Sequence, residues 1–261
     1  MKIACVQMNI EFGDIEQNFA SVENYIKKTA AEKADIIVFP EMWNTGYALN
    51  QLDQLADENG QRTQKLLSEL ASKFNVNIVG GSVATKRDGS FYNTMYVANR
   101  SGEIVAQYDK AHLFKLMDEH HFLNAGDKMN TFELDGITCG GVICYDIRFP
   151  EWILAHVLLG AKIMFVPAEW PSTRIDHWQI LLQARAIENQ CFIVAVNRVG
   201  SDPNNQFNGH SMVIAPWGEL LLSRKTEEGI YYVDIDLQEV DRVRKTIPVF
   251  QDRRADLYAN R

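Results

Sequence analysis

Positive charge is scarce and nowhere concentrated. No Lys/Arg run exceeds two residues, and 26 Lys and Arg against 34 Asp and Glu leave a net charge of -8. Nucleic-acid binding ordinarily needs a basic patch, so that class of partner is not expected. The acidic balance serves mainly solubility, and a small anionic substrate would need a local basic residue to offset it. No apolar stretch approaches the roughly 18 residues of a membrane-spanning helix, so no membrane partner is expected either. C-x-x-C pairs are absent from the four cysteines, Cys5, Cys139, Cys144 and Cys191. That argues against a zinc site, and no metal is expected. The opening MKIACVQMNIEFGD has one Lys before a short apolar run and no small-residue cleavage site. It does not read as a signal peptide, and the expected location is cytoplasmic. Thiols stay reduced there, so a disulfide framework is not expected and one cysteine is free to be reactive. Cys5 and Cys191, each inside an apolar run, read as small buried residues.

What is present is ordinary for a soluble globular chain: 261 residues, 46% hydrophobic and 23% charged. No linker, repeat or composition shift divides it, so residues 1–261 are expected to form a single domain. Strand-like runs occur at 2–8, 35–39, 76–84, 91–99 and 103–108, the last two joined by a hairpin signal at Asn99-Arg100-Ser101-Gly102. Others occur at 137–143, 162–167 and 191–197, and three more are expected within 210–235. Asp14 with Gln17 is a helix-start signal, followed by Phe19, Val22, Ile26 and Ala30 on one face. Helices are also expected at 61–74, at 150–160 with Pro150 in its first turn, and up to about Gln190. Residues 200–209 read as a polar loop and the tail from Asp241 as charged and irregular. Strands alternating with helices, and hairpins between and after them, predict an α/β layered fold with mixed sheets.

Three chemically different side chains follow strands: Glu41 after DIIVFP, Lys110 after EIVAQYD and Cys144 after ITCGGVI. Groups just beyond strand C-termini converge on a cleft in layered α/β folds. Cys144 is the candidate nucleophile. Gly140 and Gly141 permit close backbone approach, and a strand-to-helix turn can aim backbone N–H groups, such as that of Tyr145, at a developing oxyanion. A thiol needs a base or a nearby cation. The nearest histidine, His156, lies inside the predicted helix and out of phase. Glu41 can be the base, and Lys110 can stabilise a tetrahedral oxyanion. Arg148, four residues after Cys144, is expected to pair with Asp146 or a neighbouring carboxylate. His112, His120 and His121 lack the spacing of a ligand set.

The segments FPEMWNTGY, YDKAHLF and GGVICYDIRFPEW resemble the three signature blocks of the nitrilase (carbon–nitrogen hydrolase) superfamily, in the same order. VQMNIEFGDIEQN, ARAIENQCFIVAVNRVG, GHSMVIAPWGELL and the terminal DRRADLY also match its pattern. The resemblance covers essentially the whole chain. It implies a four-layer αββα sandwich, pairing into a homodimer, with Glu41 as general base, Cys144 as nucleophile and Lys110 at the tetrahedral intermediate. In KAHLFKLMDEHHFLNAG, Glu119 matches a second glutamate of many members, which implies a role in orienting Lys110 and the substrate amide. The implied reaction is amidohydrolysis through a cysteine thioester, with no cofactor.

The block VPAEWPSTRIDHWQILLQARAIENQ looks most like that of the bacterial ω-amidases, which act on α-keto acid amides such as 2-oxoglutaramate. Such a substrate carries a carboxylate remote from its amide, which a guanidinium can bind with paired hydrogen bonds. Arg174, in a predicted loop beside Trp170, is the candidate clamp, with Trp170 as a pocket wall. Competing readings within the superfamily are a deaminated-glutathione amidase, with a roomier pocket, and hydrolases of aliphatic amides, carbamoyl amides or nitriles. A papain-like Cys–His hydrolase lacks its signature around the cysteine. A non-catalytic interaction protein on the same scaffold would not need the catalytic residues that are all present here.

Overall fold

The computed structural model describes residues 1–223 and 225–258; Arg224 and the last three residues of the expected 1–261 domain lie outside it. Two six-strand paths make the framework. The first runs Gly229–Asp234, Lys2–Gln7, Ile36–Val38, Asn77–Arg87, Ser90–Ala98, Ile104–Asp109, with the short Asp57–Glu58 also paired to Asn77–Arg87. The second runs Leu220–Leu222, Met212–Ile214, Phe192–Asn197, Ile163–Ala168, Ile137–Gly141, Thr131–Leu134. Both sheets are mixed. Lys2–Gln7, Ile36–Val38 and Asn77–Arg87 are parallel, as are Ile137–Gly141, Ile163–Ala168 and Phe192–Asn197; Asp57–Glu58 also pairs parallel, and the other strands pair antiparallel.

The period of two along a strand sorts side chains between layers. Ile3, Cys5, Ile36 and Val38 belong to the core shared with the second sheet, together with Val166, Ile193 and Ala195. Their alternates Ala4, Val6, Ile37 and Phe39 pack with Phe19, Val22, Ile26, Leu67 and Leu70 of the helices Ile15–Ala31 and Gln61–Phe74. On the far side, Ile153 and Val157 of helix Pro150–Leu158 and Trp178, Leu182 and Ala186 of helix Ile175–Asn189 cover the second sheet. The order is helices, sheet, sheet, helices: the four-layer αββα sandwich. Each fully buried aliphatic side chain contributes roughly 1.5–3 kcal/mol. A one-residue slip of an inner strand would send its whole set to the wrong layer.

Local signals account for the element ends. The Asp14 carboxylate accepts the Gln17 N–H at 3.0 Å, capping the first helix. Pro150 occupies the first turn of its helix, where its missing N–H costs nothing. Three expectations differ from the structure. The polar stretch 200–209 carries a small hairpin, Val199–Ser201 with Gln206–Asn208. The charged tail contains the helix Gln238–Thr246, which buries Val240 and Val243 on one face and so escapes a reading by composition. Thr131–Leu134 is an additional strand, turned into Ile137–Gly141 by Asp135-Gly136 at φ +52° and +77°. That Asp-Gly pair is a strong two-residue hairpin signal.

Candidate active site

The C-terminal ends of parallel strands from both sheets meet at one place. Glu41 lies three residues past Ile36–Val38, Glu169 directly follows Ile163–Ala168, and Cys144 lies three residues past Ile137–Gly141. The Glu41 N–H donates to the Ala168 carbonyl at 3.5 Å, bridging the two sheets. Strand Asn77–Arg87 shifts register between Val79 and Ser82, and Ser82 bonds the backbone of Pro40 and Trp43 on either side of Glu41. Gly81 is required there: at φ +61°, an added Cβ would sit 2.0 Å from the Pro40 carbonyl oxygen.

Glu41, Lys110 and Glu119 are each 0% exposed. Three ionisable groups without water must satisfy one another. Lys110 Nζ donates to Glu41 Oε1 at 2.8 Å and to Glu119 Oε1 at 2.6 Å. Glu41 Oε1 also accepts from Asn93 Nδ2 at 2.8 Å and the Tyr47 hydroxyl at 3.0 Å, and its Oε2 accepts the Glu169 N–H at 2.7 Å. Tyr47 also contacts Glu119 Oε1, and Glu119 Oε2 accepts the Phe114 N–H at 2.6 Å. Burial alone would push the Lys110 ammonium down. The surrounding charges of Glu119 and Glu41 instead hold it well above its ordinary range. Burial pushes the Glu119 carboxyl up, with Lys110 opposing and Glu41 adding to the rise.

Cys144 opens a short 3-10 turn, Cys144–Arg148, and has φ +44°. A side chain in the left-handed region costs on the order of 1–2 kcal/mol, and the turn is held by Asp146. Its carboxylate accepts the Ile143 N–H at 2.9 Å, the Tyr108 hydroxyl at 2.8 Å and the His112 N–H at 3.0 Å. Burial and the charge of the nearby Glu41 carboxylate hold the Cys144 thiol well above its ordinary range, with Lys110 opposing. Burial and the neighbouring carboxylate thus favour the neutral thiol over the thiolate. The other cysteines lie elsewhere in the buried core, where burial pushes Cys5 and Cys191 up to about 12.

A narrow pocket lies over Cys144, walled by Phe114, Tyr145, Glu169, Trp170 and Pro171, with Arg148 and Arg174. Every site residue named from the sequence is thus in or beside one cluster. Arg174 ends a 3-10 turn, Ser172–Arg174, rather than sitting in an open loop. Its guanidinium lies 5.3 Å from the Phe114 ring centre, and its carbonyl accepts the Trp170 indole N–H at 2.8 Å. Arg148 departs from its expected pairing. Asp146 is already engaged by the turn, and the Arg148 guanidinium lies over the Trp170 ring at 4.9 Å and 3.3 Å from His177 Nδ1, at the pocket wall. His156 Nε2 accepts the Asn130 N–H, away from the thiol.

Sequence reasoning missed Tyr47, Asn93, Glu169 and Arg198. Glu169 Oε2 accepts from Arg198 Nη1 at 2.9 Å, both side chains being 0% exposed. Burial pushes the Glu169 carboxyl up to about 8, against the opposing pull of Arg198. Glu169 and Arg198 each directly follow or end a parallel strand, the same signal that singled out Glu41, so the pair was legible in principle. Among the described residues no group of three or more His, Cys, Asp or Glu side chains is arranged to hold a metal ion. No helix among them is long and apolar enough to cross a membrane.

The sequence profile of the carbon-nitrogen hydrolase family matches residues 2–245. The 2-oxoglutaramate amidase of Bacillus subtilis (strain 168) is 52% identical to this chain over 98% of each protein. The human omega-amidase NIT2 is 33% identical over 99% of this chain and 96% of that protein. Among solved structures, a CN-hydrolase superfamily protein from Xanthomonas campestris, with an arsenic adduct in its active site, superposes with a TM-score of 0.91. It is 28% identical, with 97% of each chain covered.

Proposed function

The chain belongs to the carbon–nitrogen hydrolase family, and from that premise we propose that it hydrolyses the terminal amide of a short α-keto acid, such as 2-oxoglutaramate, through a thioester on Cys144. The observation that carries this reading is the fully buried Lys110 ammonium shared by Glu41 and Glu119, beside Cys144 in the wall of a pocket and within reach of both the Glu41 and Lys110 charges. Cys144 Sγ attacks the amide carbon while Glu41 takes the thiol proton. Lys110 and the Tyr145 backbone N–H stabilise the oxyanion. Glu41 returns the proton to nitrogen, the C–N bond breaks and ammonia leaves. Water then attacks the thioester, giving its proton to Glu41, and the acid departs as the thiol is restored. Glu119 positions Lys110. The proton inventory closes on one carboxylate, so no cofactor is invoked.

The substrate class is supported by the similarity to the Bacillus amidase and by the small pocket with two guanidiniums at its wall. Ammonia release from 2-oxoglutaramate, deaminated glutathione, neutral short amides and nitriles tests it. The keto-acid amide is expected to show the highest kcat/KM; a higher value on deaminated glutathione would overturn the assignment. Arg174 is the proposed carboxylate clamp. Arg174→Met is expected to raise KM for 2-oxoglutaramate roughly tenfold, the loss of a charge-assisted contact of about 1.5–3 kcal/mol, and to leave neutral short amides little changed. Equal effects on both substrate types, in steady-state kinetics, would move the clamp elsewhere, with Arg148 as the next residue to replace.

The proposal includes a cytoplasmic homodimer. Four free cysteines suit a reducing compartment. Leu158, Leu159, Ile180, Ile187 and Trp217 are exposed on and around the outer helices of the second sheet, an apolar surface suited to a second copy.

A further inference from the structure

Glu169 has one carboxylate oxygen in use and one free. Arg198 holds Oε2, and Arg198 is itself fixed: its Nη2 donates to the Ile10 carbonyl at 2.7 Å and its Nε to the Val199 carbonyl at 3.0 Å. The backbone on either side is equally committed. The Glu169 N–H is bound to Glu41, and Asn197 clamps Trp170 through both its N–H, accepted by Asn197 Oδ1 at 2.7 Å, and its carbonyl, which accepts Asn197 Nδ2 at 3.0 Å. Glu169 therefore cannot swing away. Its Oε1 is fully buried and has no hydrogen-bond partner among the described residues. The residue lines the pocket over Cys144, its N–H is bound by Glu41, and its charge adds to the rise of the Tyr47 hydroxyl.

A buried acceptor left without a donor costs about 1–3 kcal/mol, and such a group in a native site asks for an explanation. We propose that Glu169 Oε1 accepts an N–H of the substrate carboxamide, making Glu169 the residue that selects a primary amide over an ester or acid. The inference rests on the amidase reading above. A primary amide carries two N–H groups, and an attacked carbon beside Cys144 brings its nitrogen toward Glu41, which must protonate it. Glu41 and Glu169 are joined by the Glu169 N–H, so an amide nitrogen facing one carboxylate has a second N–H to offer the other. An ester oxygen has no hydrogen for Oε1 and leaves it unsatisfied, which is the asymmetry that makes a polar site discriminate. The N–H also offsets the burial penalty on the carboxylate.

The test is Glu169→Gln, with succinic acid monoamide and its monomethyl ester as paired substrates. Arg198 only donates, so the Gln amide oxygen must face Arg198 and its NH2 must take the place of Oε1, presenting a donor where the acceptor was. Assays at pH 9, above the range to which burial pushes the carboxyl, keep wild-type Glu169 ionised. The expected result is a kcat/KM loss of about tenfold or more on the amide with less than about twofold change on the ester. Equal losses on both substrates, or none on either, would overturn the role; a merely structural residue gives the first. If Glu169→Gln does not fold, Glu169→Asp keeps the charge opposite Arg198, withdraws the carboxylate by one methylene, and must show the same amide-selective loss. Wild-type turnover of the ester without the amide would instead overturn the amidase reading itself.

Discussion

Cys144→Ala is expected to abolish amide turnover, a loss of at least about 10³-fold, because the nucleophile has no substitute within reach. The fold should survive. The substitution keeps the Cβ at a position already in the left-handed region at φ +44°, and the turn is held by Asp146 rather than by the sulfur. A circular-dichroism melt close to wild type, beside an ammonia assay at background, is the expected pair of results. Retention of a tenth of wild-type activity would exclude Cys144 as nucleophile. His156, the other nucleophilic side chain near in sequence, is spoken for by Trp152 and Asn130 and is lowered by burial, so it offers no rescue.

Lys110→Met should be the most damaging substitution at the site for activity and stability together. It leaves the Glu41 and Glu119 carboxylates fully buried without the cation they share. Breaking a buried pair on one side typically costs about 3–5 kcal/mol, visible as a lowered denaturant midpoint. The rate should fall by about 10²–10³-fold as the oxyanion loses its charge. The two carboxylates are then expected to share a proton, so the variant's stability should fall as pH rises and that proton is lost. A Lys110→Met protein as stable as wild type, with the same pH dependence, would show that Lys110 does not bridge the two glutamates. Glu41→Gln tests the other partner: it keeps the shape but cannot take the thiol proton, and should lose about a hundredfold or more in rate.

The legible part of this site was the part written in local pattern. Glu41, Lys110 and Cys144 each follow an apolar run of strand length, and strand ends in a layered α/β fold converge, so their meeting was readable before any coordinates. Glu119 was not. It sits in a one-turn helix, Glu119–Phe122, with no periodicity around it, and only the family resemblance pointed to it. Tyr47 and Asn93 reach Glu41 through tertiary hydrogen bonds that no spacing encodes. Arg148 was misassigned because Asp146, two residues away, looked like its partner. The turn spends that carboxylate on Ile143, Tyr108 and His112 and turns Arg148 toward Trp170. The thiol's state was also a matter of packing. A neighbouring lysine suggests a lowered pKa, but burial and the Glu41 charge outweigh it, and the mechanism proposed above accordingly has Glu41 take the proton as the thiol attacks.

The strand pattern fared similarly. Buried strands with clean alternation were readable, and helix Gln238–Thr246 was hidden because its two buried valines are set among charges. Packing of the two sheets is what turns these separate strand ends into one site, and that packing rests on which face each inner side chain takes.

The claim on which all of this turns is that amide hydrolysis passes through an acyl group held on Cys144. Partitioning tests it most directly. Hydroxylamine added to the assay competes with water for the acyl group and diverts it to a hydroxamate. If the succinic acid monoamide and monomethyl ester are both converted to the same thioester, the ratio of hydroxamate to acid at a given hydroxylamine concentration must be identical for the two, and both products must vanish with Cys144→Ala. Ratios that differ between amide and ester would show that no common acyl-enzyme forms, and would contradict the mechanism.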